Sequence, residues 1–215
     1  MAGRDGVGAM TRRVAIVTGA GRGIGAAIVA ALAAEGWSVV AVDRAAADRR
    51  LPYAMASERD LDAVVAAAAE RAGRDDVARA VVADASDSGA LAAVVEGAEA
   101  WGDLDAFVAN AGVIAGGLPA WELAAEQQRA LLEVNLEAVM LAARLVVPAL
   151  LGRPRPRAGR FVAVTSSGAT RGMSGLAAYS AAKAGVEGFI RGLAADLHGS
   201  GVTANAVAPG STDTP

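Results

Sequence analysis

The chain alternates short, β-branched apolar runs with longer Ala- and Leu-rich segments whose apolar residues recur with a helical period. The short runs are apolar almost without interruption, which is typical of strands buried on both faces of a sheet. The pattern predicts six strands, at 14–18, 38–42, 78–83, 105–110, 160–165 and 202–207. It predicts five helices, at 24–35, 58–72, 87–100, 124–150 and 178–198. This order predicts an α/β fold of the doubly wound, Rossmann type, with a parallel sheet between helices.

No stretch within the 215 residues has the composition of a linker between domains. We therefore expect one domain at 13–215, preceded by a flexible arm at 1–12 that is rich in Gly and charge. Residues 44–57, called the insertion below, form a longer connection than one helix needs, so they are either a functional element or only a surface loop. Pro52 breaks any earlier helix, and Ser57 with Asp60 predicts a capping box at the start of the second helix.

Composition argues against several classes of function. The net charge is −3 with both signs scattered, so there is no basic stripe for nucleic acid and no surface for an anionic membrane. Cysteine is absent and His198 is the only histidine, so we expect no metal site. The start of the chain lacks the apolar core of a signal peptide, and the apolar stretch 136–151 is interrupted by Glu137, Arg144 and Pro148. We expect a cytoplasmic protein.

A glycine-rich loop, TGAGRGIG at 18–25, follows the first strand and runs directly into the first helix. Glycines here allow a tight turn, close approach of the backbone to a pyrophosphate, and close packing of helix on strand. A plain turn between a strand and a helix would need only one glycine. The loop predicts a dinucleotide site that includes Gly19, Gly21, Arg22, Gly23, Ile24 and Gly25.

Asp43 ends the second strand, where a carboxylate can accept hydrogen bonds from the adenosine ribose and repels a 2′-phosphate. This position favours NAD over NADP as the cofactor. Arg22 and Arg44 are able to accommodate a 2′-phosphate, so NADP stays open as the alternative. An aspartate at a strand end can also simply cap a turn.

Tyr179 and Lys183 lie one helical turn apart in YSAAK, with Ser166 thirteen residues before Tyr179. A free phenol has a pKa of about 10, and lowering it to about 7 requires about 4 kcal/mol in favour of the phenolate. A positive charge at about 4 Å supplies that much at an effective dielectric constant of about 20. The pair is thus adequate as a proton-transfer device, although the same spacing is common in exposed pairs on helices.

Several motifs occur in one order: TGAGRGIG, the Asn110-Ala111-Gly112 triplet, Asn135, Ser166, YSAAK, and NAVAPG at 205–210. Together they resemble the short-chain dehydrogenase/reductase family over residues 13–215. The resemblance implies that Tyr179 is the general acid/base, that Lys183 lowers its pKa and anchors the ribose, and that Ser166 holds the substrate oxygen. It also implies that Asn135 seats a water linking Lys183 to solvent. Ser167 is a rival for the serine role, and only the family's spacing favours Ser166.

The same resemblance assigns further residues to NAD. The expected contacts beyond the glycine loop are Asp43, Arg44, Asp84, Ala85, Asn110, Ala111, Gly112, Tyr179, Lys183, Pro209, Gly210 and Thr214. Among these, Asp84 is expected at the adenine amino group and Asn110 beside the adenosine. The turn at Pro209 and Gly210 is expected under the nicotinamide, and Thr214 at its carboxamide.

The insertion resembles that of the subgroup associated with the redox peptide mycofactocin, whose members keep NAD bound and pass electrons to an external redox carrier. Relatives continue beyond the position of Pro215, so a C-terminal strand and a substrate lid are expected to be missing. Relatives also assemble through the two longest helices, which implies a homo-oligomer, either a tetramer or a dimer. Apolar residues there serve that contact or the core: Leu131, Leu132, Val139, Leu145 and Val146.

These observations predict an NAD-dependent oxidoreductase acting on a small-molecule secondary alcohol or ketone. Apolar residues are expected near the cleft and suit a bulky apolar alcohol, or else they only pack: Val113, Ile114, Leu118, Trp121, Met173 and Leu176. Two alternatives stay open. One is an NADP-dependent reductase of the 3-oxoacyl type, and the other is a dinucleotide-binding protein without catalysis.

Overall fold

A computed structural model describes residues 12–213, which form a single six-stranded sheet with helices on both faces. The strands are β1 (Arg13–Thr18), β2 (Ser38–Asp43), β3 (Ala78–Val82), β4 (Asp103–Ala109), β5 (Arg160–Val164) and β6 (Thr203–Val207). They are parallel and lie in the order β3-β2-β1-β4-β5-β6. The predicted doubly wound α/β fold is confirmed, and the order reverses direction between β1 and β4, where such sheets form a crevice.

The helices are α1 (Gly23–Ala34), α2 (Glu58–Ala72), α3 (Ser88–Trp101), α4 (Ala125–Leu132), α5 (Ala138–Gly152) and α6 (Ala177–Asp196). The sequence predicted one continuous helix over 124–150. The structure instead has a π-helical turn, Glu133–Glu137, between α4 and α5, and a short 3-10 helix, Ser167–Ala169, before α6. A π-helical turn adds a residue to a helix without ending it, and the apolar pattern at 124–150 did not distinguish it from a continuous α-helix.

The start of α2 follows the predicted capping box. The Ser57 side chain accepts from the backbone N–H of Asp60, and the Asp60 carboxylate accepts from the N–H of Ser57. At the other end Gly73 adopts a left-handed conformation with φ of 64°. Both ends of α2 are therefore determined by residues close to them in sequence. The capping box at Ser57 also fixes the point where the insertion ends.

The core lies on both faces of the sheet. On one face, apolar side chains that include Ile16, Phe107 and Phe161 pack with α3, α5 and α6. On the other face, Val17, Val39 and neighbours pack with α1 and α2. The central strands are buried on both faces as predicted, whereas β3 and β6 are the two edges and have mostly exposed or half-buried residues.

The segment Ala125–Gly152 is long and apolar enough to span a membrane by length and composition. Its apolar residues pack in the core instead, since Val139 and Val146 belong to the main cluster and Leu131 is fully buried. These three residues, named above as candidates for a subunit contact, are therefore core residues of the folded chain. Core helices commonly pass such a length test.

Arg12 is the first described residue and packs against the bottom of the sheet. Its guanidinium pairs with Asp76 and lies over the ring of Trp101, and its carbonyl oxygen accepts from the N–H of Asp103.

Thr214 lies outside the described residues, so its expected contact with the nicotinamide carboxamide has no counterpart among them.

Candidate active site

A cleft of about 290 Å³ opens at the carboxyl ends of β1 to β4, where the strand order reverses. The predicted cofactor residues that line it are Gly19, Arg22, Gly23, Ile24, Gly25, Asp43, Arg44, Asp84, Ala85, Asn110, Ala111 and Gly112. Residues far apart in sequence thus meet along one crevice, which is where ligands bind in open α/β sheets.

The glycine loop is held tightly under α1. Gly19 has φ of 65°, and a Cβ on Gly25 would lie 2.0 Å from the carbonyl oxygen of Gly19. The helix begins after Arg22, whose side chain makes no capping hydrogen bond, whereas α2 and α3 are capped by Ser57 and Asp87. The first N–H groups of α1 therefore have no side-chain acceptor and face the cleft. Uncapped N–H groups at a helix N-terminus fit a pyrophosphate.

Thr18 and Asn110 join the glycine loop to the end of β4. The hydroxyl of Thr18 accepts from the N–H groups of Asn110 and Ala111, both at 3.1 Å. The Asn110 amide donates to the carbonyl oxygens of Thr18 at 2.9 Å and Gly19 at 3.0 Å. Asn110 thus steadies the loop from below. Thr18 was not among the predicted site residues, although its place at the end of the first strand is a signal that could have been used.

Asp43 and Arg44 are both held by neighbouring groups. The Asp43 carboxylate accepts from the N–H of Gly21 at 2.9 Å and of Ala45 at 3.0 Å, which fixes it beside the glycine loop. The Arg44 guanidinium lies 3.3 Å from Asp48 and 3.5 Å from Asp84. Arg44 therefore has two carboxylates within ion-pair distance.

The insertion reaches across the cleft to α4 and to the loop after β4. Arg50 forms a pair of hydrogen bonds with Asp48, at 2.9 and 2.8 Å, and another with Glu133, at 2.7 and 3.3 Å. The hydrogen bonds from Arg50 hold the pKa of Asp48 well below its usual range, and the two carboxylates raise the pKa of Arg50. The insertion is thus an ordered element tied to the π-helical turn.

Two further contacts close the insertion over the glycine loop. The hydroxyl of Tyr53 accepts from the N–H of Ile114 at 2.9 Å, and burial is the main cause that raises the pKa of Tyr53. Arg22 donates to the carbonyl oxygen of Ala54 at 3.0 Å. The length of the connection between β2 and α2 had indicated the insertion. Its hydrogen-bond partners were not predicted, because they depend on the path of the insertion in space.

Lys183 is a deeply buried charged group close to Gly112, which lines the cleft. It is 4% exposed, and its Nζ donates to the carbonyl oxygen of Val164 at 3.0 Å. Burial lowers the pKa of Lys183 from 10.5 to about 8. Both Lys183 and Tyr179 lie on α6, one turn apart, as predicted.

Asn135 and Gly112 complete the surroundings of Lys183. The buried Asn135 amide binds Val113 in both directions, accepting from its N–H at 3.0 Å and donating to its carbonyl oxygen at 2.9 Å. A Cβ on Gly112 would lie 2.8 Å from Asn135 Oδ1 and 3.3 Å from Lys183 Nζ. Glycine at this position therefore lets β4, the π-helical turn and α6 meet.

Ser166 follows β5 and begins the 3-10 helix, where its Oγ accepts from the N–H of Gly168 at 3.1 Å. Ser167 lies within that short helix and donates its backbone N–H to the carbonyl oxygen of Pro209, so the turn at Pro209 and Gly210 is held beside the two serines. The hydroxyl of Ser180 is buried near Gly168 and has no hydrogen-bond partner among residues 12–213.

Exposed apolar side chains, called the apolar rim below, lie on the loops that follow β4 and β5. Ile114, Leu118 and Met173 are each about half exposed, and Trp121 is 85% exposed. The loops that carry them are joined by a hydrogen bond of 3.0 Å from the N–H of Gly117 to the carbonyl oxygen of Gly175. By contrast, Val113 is buried and packs with Leu51 of the insertion.

The arrangement combines a dinucleotide cleft with hydroxyl and ammonium groups at one end. Within the described part of the chain, no group of three or more His, Cys, Asp or Glu side chains is placed to hold a metal ion. Tyr179 and Lys183, both on α6, are the phenol and ammonium groups that this arrangement offers for proton transfer.

Comparison with known proteins agrees with this geometry. The model of the short chain dehydrogenase family matches residues 13–215. A 3-oxoacyl-[acyl-carrier-protein] reductase from Synechocystis is 38% identical over 94% of this chain and 75% of its own length. The carveol dehydrogenase of Mycobacterium avium in complex with NAD has a TM-score of 0.85 at 30% identity, covering 93% of this chain and 71% of that one. The actinorhodin polyketide ketoreductase with NADPH has a TM-score of 0.81 at 34% identity, and the match covers 95% of this chain and 72% of that one.

Proposed function

The chain belongs to the short-chain dehydrogenase family, and we propose that it transfers a hydride between NAD and a secondary alcohol or ketone. The observation that carries the proposal is the position of Lys183. It is a buried ammonium one helical turn from Tyr179, and it lies next to Gly112, which lines the cleft. Burying an ammonium is costly, and buried charges with a shifted pKa beside a cleft are typical of functional sites.

In the proposed mechanism, Tyr179 takes the proton from the substrate hydroxyl during oxidation and returns it during reduction. With a pKa of about 8, Lys183 is mostly protonated at neutral pH, so it carries a positive charge one helical turn from Tyr179. Ser166 holds the substrate oxygen by a hydrogen bond. Bound NAD supplies the carbon that accepts or gives the hydride. Asn135 has both side-chain groups bound to Val113, so it orients that backbone as well as any water beside Lys183.

The cofactor residues retain their expected roles in this proposal. The N–H groups at the start of α1 would bind the pyrophosphate, Asp43 the adenosine ribose and Asp84 the adenine amino group. The turn at Pro209 and Gly210, with Thr214, would meet the nicotinamide.

Two observations support NAD over NADP. Asp43 is fixed beside the glycine loop, and Arg44 is already paired with Asp48 and Asp84. Arg22, the other candidate for a 2′-phosphate, donates to the carbonyl oxygen of Ala54. A 2′-phosphate in the cleft would therefore meet the carboxylates of Asp43 and Asp84, beside an Arg44 whose charge is already compensated by ion pairs.

The apolar rim formed by Ile114, Leu118, Trp121 and Met173 supports a bulky apolar alcohol or ketone as the substrate. The insertion, tied to the π-helical turn through Arg50, supports a slowly exchanging NAD that is reoxidised by an external redox carrier of the mycofactocin type. The family resemblance supports a cytoplasmic homotetramer or dimer.

An NADP-dependent reductase of a 3-oxoacyl substrate is the second candidate, favoured by the likeness to the reductase from Synechocystis. Tighter binding of NADPH than of NADH would support it. A dinucleotide-binding protein without catalysis is the third, and it would show no turnover that depends on Tyr179.

The first experiment is cofactor exchange. The purified protein is incubated with excess labelled NAD, freed of unbound ligand and denatured, and the released dinucleotide is identified by mass spectrometry. Retention of unlabelled NAD supports a captive cofactor and an external acceptor, whereas labelled NAD supports an ordinary exchanging dehydrogenase. Release of no dinucleotide, or of NADP alone, would contradict the proposed cofactor.

The second experiment uses Tyr179→Phe with a panel of secondary alcohols and ketones. We expect turnover to fall at least about 100-fold with NAD affinity little changed, because only the proton-transfer group is lost. Arg191→Met, at an exposed position of the same helix, is the control and should leave turnover unchanged. Equal turnover of wild type and Tyr179→Phe would exclude the proposed mechanism.

A further inference from the structure

We propose that Asp48, in the insertion, is a specificity-determining residue that sets the preference for NAD over NADP by holding Arg44 in an ion pair. The inference rests on the proposed function and deepens it, because it names a residue behind the cofactor choice that does not itself line the cleft. Asp43 would act directly by repelling a 2′-phosphate, whereas Asp48 would act by occupying the neighbouring cation.

The geometry of Arg44 supports this role. Its side chain lines the same cleft as Asp43 and follows it directly in sequence, so its charge is available to the ribose end of a bound dinucleotide. Its Nη1 lies 3.3 Å from Asp48 Oδ2 and 3.5 Å from Asp84 Oδ2. Asp48 approaches from the insertion and Asp84 from the end of β3, so the guanidinium is shared between two carboxylates.

Burial and several hydrogen bonds hold the Asp48 side chain in place as a charged carboxylate. Its side chain is only 5% exposed. It accepts from the backbone N–H of Arg50 at 3.0 Å and from two nitrogens of the Arg50 side chain at 2.9 and 2.8 Å. Arg50 is itself anchored on Glu133 across the cleft. A carboxylate with these partners is a fixed negative charge, and Arg44 is the cation that it holds at the cofactor side.

The consequence differs between the two cofactors. A 2′-phosphate carries a charge of about −1.5 to −2 at neutral pH and binds arginine through paired, charge-assisted hydrogen bonds. With Asp48 ionised, the charge of Arg44 is compensated by two carboxylates through Nη1, so a 2′-phosphate gains less from pairing with it. Removing the charge of Asp48 leaves only Asp84 to compensate Arg44, and the attraction between its guanidinium and the phosphate increases. NAD has a hydroxyl at this position, so its affinity depends little on the same charge.

The test measures dissociation constants of NAD⁺ and NADP⁺ by calorimetry at one salt concentration, with the full chain stripped of bound dinucleotide. Asp48→Asn keeps the shape of the side chain and an oxygen for the N–H of Arg50. We expect NADP⁺ affinity to rise about tenfold, equal to about 1.4 kcal/mol, and NAD⁺ affinity to change less than about threefold. Asp62→Asn, an exposed site on α2, is the control for the same change in net charge.

Two further variants decide whether the effect passes through Arg44. In the double variant Asp48→Asn with Arg44→Gln, the gain in NADP⁺ affinity is expected to disappear. Asp84→Asn lies outside the insertion and should shift the ratio of the two affinities in the same direction, even if Asp48→Asn disturbs folding. The ratio of the NADP⁺ and NAD⁺ affinities is informative because both cofactors contain the same adenine, so the loss of a contact between Asp84 and adenine affects both affinities alike.

An unchanged ratio in Asp48→Asn and in Asp84→Asn would overturn the proposal, as would a gain that survives in the double variant. Failure of the proposed function would give results different from failure of this proposal. A wild-type protein that prefers NADP⁺ refutes the cofactor assignment while the coupling between Asp48 and Arg44 is still measured. A protein that binds neither dinucleotide overturns both proposals.

Discussion

Replacing Lys183 with methionine should make the protein more stable while abolishing turnover. Methionine has a similar length and no charge, so the substitution removes a desolvated ammonium from a site that is 4% exposed. Burial lowers the pKa of Lys183 from 10.5 to about 8, and a tenfold change in proton affinity corresponds to about 1.4 kcal/mol. The buried charge therefore costs about 3 kcal/mol at neutral pH. Loss of the hydrogen bond to Val164 opposes this by about 1 kcal/mol, which leaves a gain of about 2 kcal/mol.

The gain in stability should depend on pH. The folded protein binds fewer protons than the unfolded chain between pH 8 and pH 10.5, because the folded-state pKa of Lys183 is the lower one. Wild-type stability therefore rises with pH across this window relative to Lys183→Met, and the difference is constant below it. The advantage of the variant should shrink by about 3 kcal/mol between neutral pH and pH 10.5.

Urea unfolding at a fixed protein concentration, without dinucleotide, measures the free energy of unfolding of both proteins across this pH range. Arg191→Met is the matched control, since it removes an exposed cation from the same helix and should change stability by less than about 0.5 kcal/mol. Lys183 is the only lysine in the chain, so selectively labelled lysine gives a single side-chain NMR signal whose titration reports the pKa directly. A pKa of about 10, as in a solvated lysine, with a stability difference independent of pH would refute this account of Lys183.

Other predictions follow from individual contacts. Gly25→Ala should abolish dinucleotide binding, because its Cβ would lie 2.0 Å from the oxygen of Gly19; Gly97→Ala, on α3 with nothing within 4 Å, is its control and should leave binding unchanged. Arg50→Gln leaves the buried Asp48 without its main partner and should cost about 2 kcal/mol in unfolding free energy, less if Asp48→Asn is added. Ser57→Ala should cost about 1 kcal/mol by the same assay, through loss of the cap on α2; a loss below about 0.3 kcal/mol would show that the cap contributes little.

Much of the fold was readable from local patterns. Continuous apolar runs marked the strands because a central parallel strand is buried on both faces, and Ser57 with Asp60 marked the start of α2 because a capping box is made within four residues. The π-helical turn at 133–137 was not readable. Its Asn135 is positioned by Val113, which lies on another element, and the helical period of the sequence continues through it.

The candidate site also combines features that can be predicted from the sequence with features that only the tertiary structure determines. Chemistry confined to one turn or one loop, such as Tyr179 with Lys183 or the glycines at 18–25, is set by residue type and spacing, so the sequence alone reveals it. The burial of Lys183, the sharing of Arg44 between Asp48 and Asp84, and the tie from Arg50 to Glu133 follow from the paths that distant segments take. Desolvation and ion pairing depend on distance in space, and a linear pattern does not specify the distance between residues as far apart in sequence as Arg50 and Glu133.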